Sequence, residues 1–183
     1  MTTKNQSKKQ VINLNTKHLK GMCNETITMK IRPVRVEDVP LIDEMHDRLS
    51  KDSIYFRYLG TSKPGINDLH KLCSTEAENG FVVVATVSEP QEKVIGIASY
   101  TVDPENPTAA EPAVLVEDIY QGCGIGKKIV TALGRFAVGK GVTTFVSYIH
   151  PVNSKVLQMI QGSGIPFESK YRDGLKEVRV QLV

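Results

Sequence analysis

The sequence contains no tryptophan, and aromatic residues make up only 6% of its 183 residues. No apolar run approaches the roughly 18 residues that a membrane-spanning helix requires, and the N-terminus has no secretory apolar segment. The three cysteines, at positions 23, 73 and 123, form no Cys-x-x-Cys pair. These absences argue against a membrane protein, a metal site and a disulfide framework, and they predict a cytoplasmic protein without a bound metal.

The chain also lacks a basic surplus outside its N-terminus. Residues 1–30 hold six lysines and one acid, whereas the remaining residues hold 17 basic and 19 acidic side chains. A near-neutral body does not favour a nucleic-acid-binding protein. We therefore expect residues 1–28 to form a basic, flexible segment and residues 29–183 to form one folded domain.

Apolar periodicity divides this domain into alternating strands and helices. The strands are predicted over residues 31–35, 81–87, 94–102, 111–116, 143–149 and 176–183, and Pro104 and Pro107 are expected to frame a loop. Helical patterns cover residues 39–49, 55–58, 67–73, 125–138 and 153–160. Adjacent strands followed by two strand–helix units predict an α/β fold, with a mixed sheet and helices on both faces.

The most informative stretch lies between the fourth predicted strand and the long helix. An apolar run from Ala113 to Val116 is followed by the glycine-rich turn 121–126 and then by the helix. The first N–H groups of a helix lack partners and carry partial positive charge. Glycines let a phosphate approach such a backbone closely. The stretch therefore predicts an anion site.

Two common phosphate motifs do not fit this turn. Its glycines follow G-x-G-x-G rather than the G-x-G-x-x-G of dinucleotide folds, and the next strand ends at His150 without the acid those folds use. A Walker loop would need glycine at 121 and serine or threonine at 128, where the chain has Gln121 and Lys128.

The Q-x-x-G-x-G pattern of residues 121–126 instead resembles motif A of the GNAT superfamily of acyl-CoA-dependent N-acyltransferases. The resemblance runs from about Ile31 to the end of the chain, and it implies a GNAT fold with a central sheet splayed at the acyl-CoA site. It implies acetyl-CoA as cosubstrate, with the strand backbone along the pantetheine arm and the turn around the diphosphate. The implied cofactor-binding residues are Val114, Leu115, Val116, Gly122, Cys123, Gly124, Ile125, Gly126, Lys127 and Asn153.

Within the superfamily, the stretches 32–38, 49–58 and 162–167 resemble the transferase domain of Pat-type protein lysine acetyltransferases. The sequence departs from that pattern at two places. Cys123 stands where arginine is usual, so CoA affinity is lower unless Lys127 and Lys128 compensate, and the thiol is interpreted as a spectator rather than a nucleophile. Ile160 stands seven residues after Asn153, where many GNAT enzymes carry a tyrosine.

Glu111 is the candidate general base. It matches in place the catalytic glutamate of protein-acetylating GNATs, and its apolar neighbours Ala109, Ala110 and Pro112 predict a desolvated carboxylate. Pro112 lacks an N–H, so its strand is expected to be locally unpaired or bulged. A backbone N–H of residues 114–116 is the expected oxyanion donor, and Tyr148 or a water is the open alternative for the general acid.

The resemblance predicts acetyl transfer to a protein lysine. A small-molecule amine acetyltransferase and a non-catalytic CoA-binding sensor stay open as alternatives, as do the acyl-chain preference and a homodimer.

Overall fold

The computed structural model describes residues 12–16, 27–74, 79–88 and 90–183. In these ranges, eight strands form one sheet in the order β1-β2-β3-β4-β5-β6-β8-β7. The strands are β1 (Ile12–Thr16), β2 (Ile27–Pro33), β3 (Gly80–Val87), β4 (Lys93–Asp103), β5 (Asn106–Val116), β6 (Thr144–Ile149), β7 (Phe167–Arg172) and β8 (Leu175–Gln181). Neighbouring strands are antiparallel except β5 and β6, which are parallel, so the predicted mixed sheet is confirmed.

Within the described residues, five α-helices connect these strands. They are α1 (Val39–Asp47), α2 (Lys51–Tyr58), α3 (Ile66–Ser74), α4 (Ile125–Gly139) and α5 (Ser154–Gln161). The Ser50 hydroxyl caps α2 by accepting a hydrogen bond from the Ser53 N–H at 3.2 Å. This bond satisfies one of the unpaired donors at the helix start.

Helices cover both faces of the sheet because the strands alternate apolar side chains between two cores. On one face α4 packs on β3 and β4, with Ile129 and Leu133 fully buried. On the other face α1 and α3 supply Ile42 and Leu69, which pack against the opposite side of the same strands. The predicted arrangement of helices on both faces is confirmed.

Two details of the sheet differ from the sequence-based expectation. The Pro104–Pro107 region is a hairpin turn, because β4 ends at Asp103 and β5 already begins at Asn106. β7 lies in a stretch where no strand was predicted; it forms the edge of the sheet, and β8 lies between β6 and β7. No apolar pattern in the sequence predicted β7, because all six of its residues are exposed.

The N-terminal segment is described only in part. β1 lies inside the predicted flexible segment 1–28 and pairs antiparallel with β2 through its backbone. The rest of that segment up to residue 26 lies outside the described residues. The division at residue 28 stays a prediction, and β2 crosses it.

Candidate functional site

A gap opens in the middle of the sheet where β5 leaves β6. The two strands pair at Ala109 with Thr144 and at Ala110 with Phe145, and within the described residues their register ends there. β5 nevertheless continues to Val116 along β4. Residues 111–116 therefore form one wall of a gap between two parallel strands, which is the splay that the resemblance implied.

The backbone of this wall alternates in direction. The Glu117 N–H donates to the Ile95 carbonyl at 2.9 Å, so the antiparallel alternation turns the odd-numbered residues of β5 toward β4. The even-numbered residues Val114 and Val116 then direct their N–H and C=O groups toward the gap. Consistent with this direction, the Val116 carbonyl accepts a hydrogen bond from the Gln121 side chain at 2.9 Å.

The same alternation explains why proline is tolerated at position 112 and why the Leu115 amide does not face the gap. Pro112 pairs in register with Tyr100 but occupies an even position, so its missing N–H falls on the unpaired side. The predicted local unpairing is thus found on the β6 side. Leu115 directs its amide toward β4 and its side chain into the core beneath α1. It therefore offers neither its amide nor its side chain to a ligand in the gap, which we also call the groove.

The glycine turn has the backbone conformation that its sequence requires. Gly122 and Gly124 have φ angles of +74° and +77°, which L-residues rarely adopt. A Cβ placed on either glycine would meet no described atom within 4 Å. Both glycines are exposed. The space above the turn is therefore open to a ligand.

The turn leads directly into α4, whose first residues create a favourable anion site. Gly124 occupies the N-cap and has no side chain to satisfy the free N–H groups. The first turn, which lies wholly within the described residues, carries no acidic side chain. The helix is 15 residues long, so unpaired N–H groups and the positive end of its dipole face the open space.

Gln121 holds the turn against three other elements. Its Nε2 donates to the Ser53 hydroxyl at 3.0 Å and to the Val116 carbonyl at 2.9 Å. Its Oε1 accepts a hydrogen bond from Lys155 Nζ at 2.8 Å. One side chain thereby links the turn to α2, to the end of β5 and to α5.

Asp118 forms a second set of hydrogen bonds between the turn and α2. No sequence pattern predicted this role. Its carboxylate accepts hydrogen bonds from the Ser50 N–H at 2.9 Å and from the Ser50 and Ser53 hydroxyls, both at 2.8 Å. Burial acts to raise the pKa of Asp118, but these hydrogen bonds and the charge of Lys155 lower it overall. The ionised carboxylate therefore fixes the start of α2 beside the turn.

The cations near the turn are arranged differently from the expectation. Lys127 donates to the Gly162 carbonyl at the end of α5 at 2.7 Å. Lys155, on α5, lies in the groove beside Gln121 and was not predicted. Cys123 is partly buried, and its thiol lies 3.5 Å from the Gln121 carbonyl oxygen. Lys155 thus supplies a positive charge beside the Gln121 side chain at the start of the turn.

Asn153 occupies the N-cap position of α5. Within the described chain, its side chain makes no capping hydrogen bond. Its φ and ψ of −81° and 67° differ from the extended backbone of a typical N-cap. Asn153 instead lines the groove, where its amide can contact a ligand.

Two adjoining cavities occupy the gap. One, of about 470 Å³, lies over the glycine turn between α2 and α5. The other, of about 460 Å³, lies between the flank of α4 and β6. They share the lining residues Val114, Lys127, Val156 and Met159. Their size is typical of sites for small molecules and cofactors.

Glu111 stands at the point where β5 and β6 separate. Its side chain is exposed, so the predicted desolvated carboxylate is wrong for the protein alone. The register Ala109 with Thr144 puts Glu111 and Tyr148 on the same face of the sheet, because side chains alternate along each strand. Tyr148 is 48% exposed.

The model of the acetyltransferase (GNAT) family matches residues 43–162, from α1 to the end of α5. The chain belongs to the GNAT acetyltransferase family. Its fold is similar to the GNAT domain of S. lividans PAT, with a TM-score of 0.76 and 20% identity over 84% of this chain and 90% of that one. A putative acetyltransferase from Salmonella typhimurium with acetyl-CoA has a TM-score of 0.65 and 18% identity, over 84% and 92% of the two chains.

A cAMP-binding acyltransferase from Mycobacterium smegmatis is also similar, with a TM-score of 0.60 and 23% identity. The match covers 96% of this chain and 48% of that one. As a GNAT enzyme, the chain is an acyltransferase that uses acetyl-CoA, and the open glycine turn fits that cosubstrate's phosphates.

In the described part of the GNAT chain, no group of three or more histidine, cysteine or acidic residues could hold a metal ion. None of the helices there has the length and apolar character needed to cross a membrane.

Proposed function

We propose that this GNAT enzyme transfers acetyl from acetyl-CoA to a lysine amine of a protein, with Glu111 as general base. The observation that supports the proposal is the position of Glu111, exposed at the point where β5 and β6 separate. The acyl donor enters on the side of the glycine turn. The acceptor approaches the face that carries Glu111.

An open sheet face supports a protein as acceptor. On the face of Glu111, the buried cluster beneath α1 and α3 reaches Leu115 on β5. Beyond it, Tyr148 on β6 is half exposed, and every residue of β7 is exposed. A broad surface of this kind can accept a lysine presented by a polypeptide.

The lining of the cavities also bears on the acceptor. A small polyamine would be held by several carboxylates. Among the described residues that line the two cavities, Asp52 is the one acid, and the four cations are Arg57, Lys127, Arg135 and Lys155. This balance supports binding of the anionic donor more than binding of a small cationic acceptor.

The proposed reaction begins with removal of a proton from the acceptor. A free lysine amine has a pKa of about 10.4, so Glu111 takes its proton, directly or through water. The neutral nitrogen attacks the thioester carbonyl, and the carbon–sulfur bond breaks. A thiol pKa of about 8.5 makes the thiolate an adequate leaving group, and Tyr148 is the candidate to protonate it.

The proposed oxyanion donor is a backbone N–H of β5. Of the predicted residues 114–116, the alternation of the strand leaves the amides of Val114 and Val116 directed to the gap. The donor diphosphate is held by the amides of residues 122–127, and Asn153 contacts its arm. Cys123 remains a spectator because its thiol is packed against the turn.

We place the reaction in the cytoplasm. Cys73 and Cys123 are free thiols, and free thiols are usual in reducing compartments. A homodimer is independent of the acyl-transfer chemistry.

The test is an acceptor screen with the purified chain and acetyl-CoA. Wild type and Glu111→Gln are incubated with cell-extract proteins and with a panel of small amines, and acetylation is measured by mass spectrometry. We expect acetyl-lysine on proteins with wild type and a loss of about 10²–10⁴-fold with Glu111→Gln. Glu105→Gln, which changes an exposed glutamate in the β4–β5 turn, is the matched control and should keep full activity.

The alternatives predict other results. Acetylation of small amines alone would establish the small-molecule enzyme. Binding of acetyl-CoA without any acetylated amine would establish the sensor.

A further inference from the structure

The edge strand β7 is unusually open to its surroundings. Its sequence, Phe167 to Arg172, contains no proline, and all six residues are exposed. An unprotected edge presents unpaired N–H and C=O groups to any strand that can pair with it.

The outward groups of β7 follow from its neighbours. The Leu182 N–H donates to the Thr143 carbonyl at 2.8 Å, so the even-numbered residues of β8 bond to β6 and the odd-numbered ones to β7. The Asp173–Gly174 turn, with φ angles of +49° and +79°, is a two-residue hairpin turn whose flanking residues pair directly. Both facts direct the N–H and C=O groups of Phe167, Ser169 and Tyr171 away from the sheet.

We propose that β7 pairs antiparallel with β7 of a second copy of this chain, about a twofold axis through Ser169. In this register Phe167 lies opposite Tyr171 of the partner subunit, and Glu168 lies opposite Lys170 of the partner subunit. The twofold axis repeats both pairs. Five residues thereby make two ion pairs and two aromatic pairs, which are favourable cross-strand combinations.

Charge selects this register over its neighbours. An axis through Glu168 would place two glutamates opposite each other, and an axis through Lys170 would do the same with two lysines. Like charges directly opposite destabilise a strand pair.

The ion pairs continue a charge pattern that already exists within the chain. Glu168 lies in register with Arg179 of β8, and Lys170 lies in register with Glu177, with 3.5 Å between Lys170 Nζ and Glu177 Oε1. Across the proposed interface the order becomes Arg179, Glu168, Lys170 of the partner subunit and Glu177 of the partner subunit. Opposite charges therefore alternate over four adjacent strands.

The first experiment is sedimentation velocity of the full chain, whose monomer mass is 20.2 kDa, without acetyl-CoA. We expect a dimer that dissociates on dilution. Ser169→Pro should give monomers, because it removes an outward N–H without removing a bond to β8. Ser169→Thr keeps that N–H and should keep the dimer.

The second experiment tests the register by charge reversal. Glu168→Lys alone places two lysines opposite each other across the interface, and Lys170→Glu alone places two glutamates opposite each other. Each variant should therefore associate about tenfold or more weakly than wild type. A mixture of the two variants restores an opposite-charge pairing and should form the mixed dimer. Thermal unfolding of each variant checks that it folds.

Monomers of wild type at concentrations up to about 1 mM would overturn the proposal. A dimer that survives Ser169→Pro, or charge variants that do not associate when mixed, would overturn it as well. None of these outcomes bears on acyl transfer.

Discussion

Replacing Gly124 with alanine tests the two roles of this glycine. It adopts a left-handed backbone conformation, and it leaves room for a phosphate to reach the turn. Its φ is +77°, and an L-residue in the left-handed region costs about 1–2 kcal/mol. The new methyl group would meet no described atom within 4 Å, so no further loss of stability is expected. That methyl group would, however, occupy the open space through which a phosphate reaches the amides of the turn.

Gly141 provides a matched control at the other end of α4. Its φ is +91°, and a Cβ there also meets no described atom within 4 Å. Gly141→Ala should therefore lower the free energy of unfolding by the same amount as Gly124→Ala. Both variants should lower the melting temperature by about 2–8 °C. Gly141 does not line the described cavities, so its substitution should leave ligand binding unchanged.

The assay is titration calorimetry with acetyl-CoA, together with thermal unfolding of each variant. We expect Gly124→Ala to weaken binding at least about tenfold, which corresponds to about 1.4 kcal/mol. Gly141→Ala should bind like wild type. Equal binding by Gly124→Ala and wild type, or an equal loss in both variants, would refute the placement of the diphosphate at this turn.

Three further predictions concern the surrounding structure. Gln121→Ala removes three hydrogen bonds and should cost about 1–3 kcal/mol in the free energy of unfolding, measured by urea titration. Burial lowers the pKa of His46, so the unfolded chain binds more protons than the folded protein. The free energy of unfolding should therefore rise from about pH 5 to pH 7. His46→Gln should flatten that rise, whereas His70→Gln, at an exposed position, should not. Burial raises the pKa of Cys73 to about 11, so iodoacetamide at neutral pH should modify it slowly in the folded protein and readily in urea; fast modification in the folded state would contradict its burial.

The glycine turn and the helices were predictable because their signals are local. Glycine at 122 and 124 matches positive φ angles, and the apolar spacing of Ile129 and Leu133 matches the buried face of α4. The splay was implied by the resemblance, and Pro112 marked the unpaired side of β5.

The parts that could not be predicted depend on contacts between distant residues. Asp118 bonds to Ser50 and Ser53 across 65–68 positions in the chain, and Lys155 bonds to Gln121 across 34. A local sequence pattern cannot predict hydrogen bonds between residues so far apart in the chain. β7 was missed because an exposed strand has no apolar alternation to report it.

The expected desolvation of Glu111 failed for a related reason. Its neighbours in sequence are apolar, but the strand turns Glu111 toward a sheet face that α1 and α3 do not cover at this point. Sequence neighbours of a strand residue point to the opposite face, so they say little about its surroundings.

A crystal structure of the chain with bound acetyl-CoA would show directly where the diphosphate and the thioester lie. We predict diphosphate oxygens about 3 Å from backbone nitrogens of residues 122–127, with the thioester in the gap beside Val114 and on the side of Glu111. A diphosphate bound away from the glycine turn, or a thioester directed away from Glu111, would show that the proposed site is wrong.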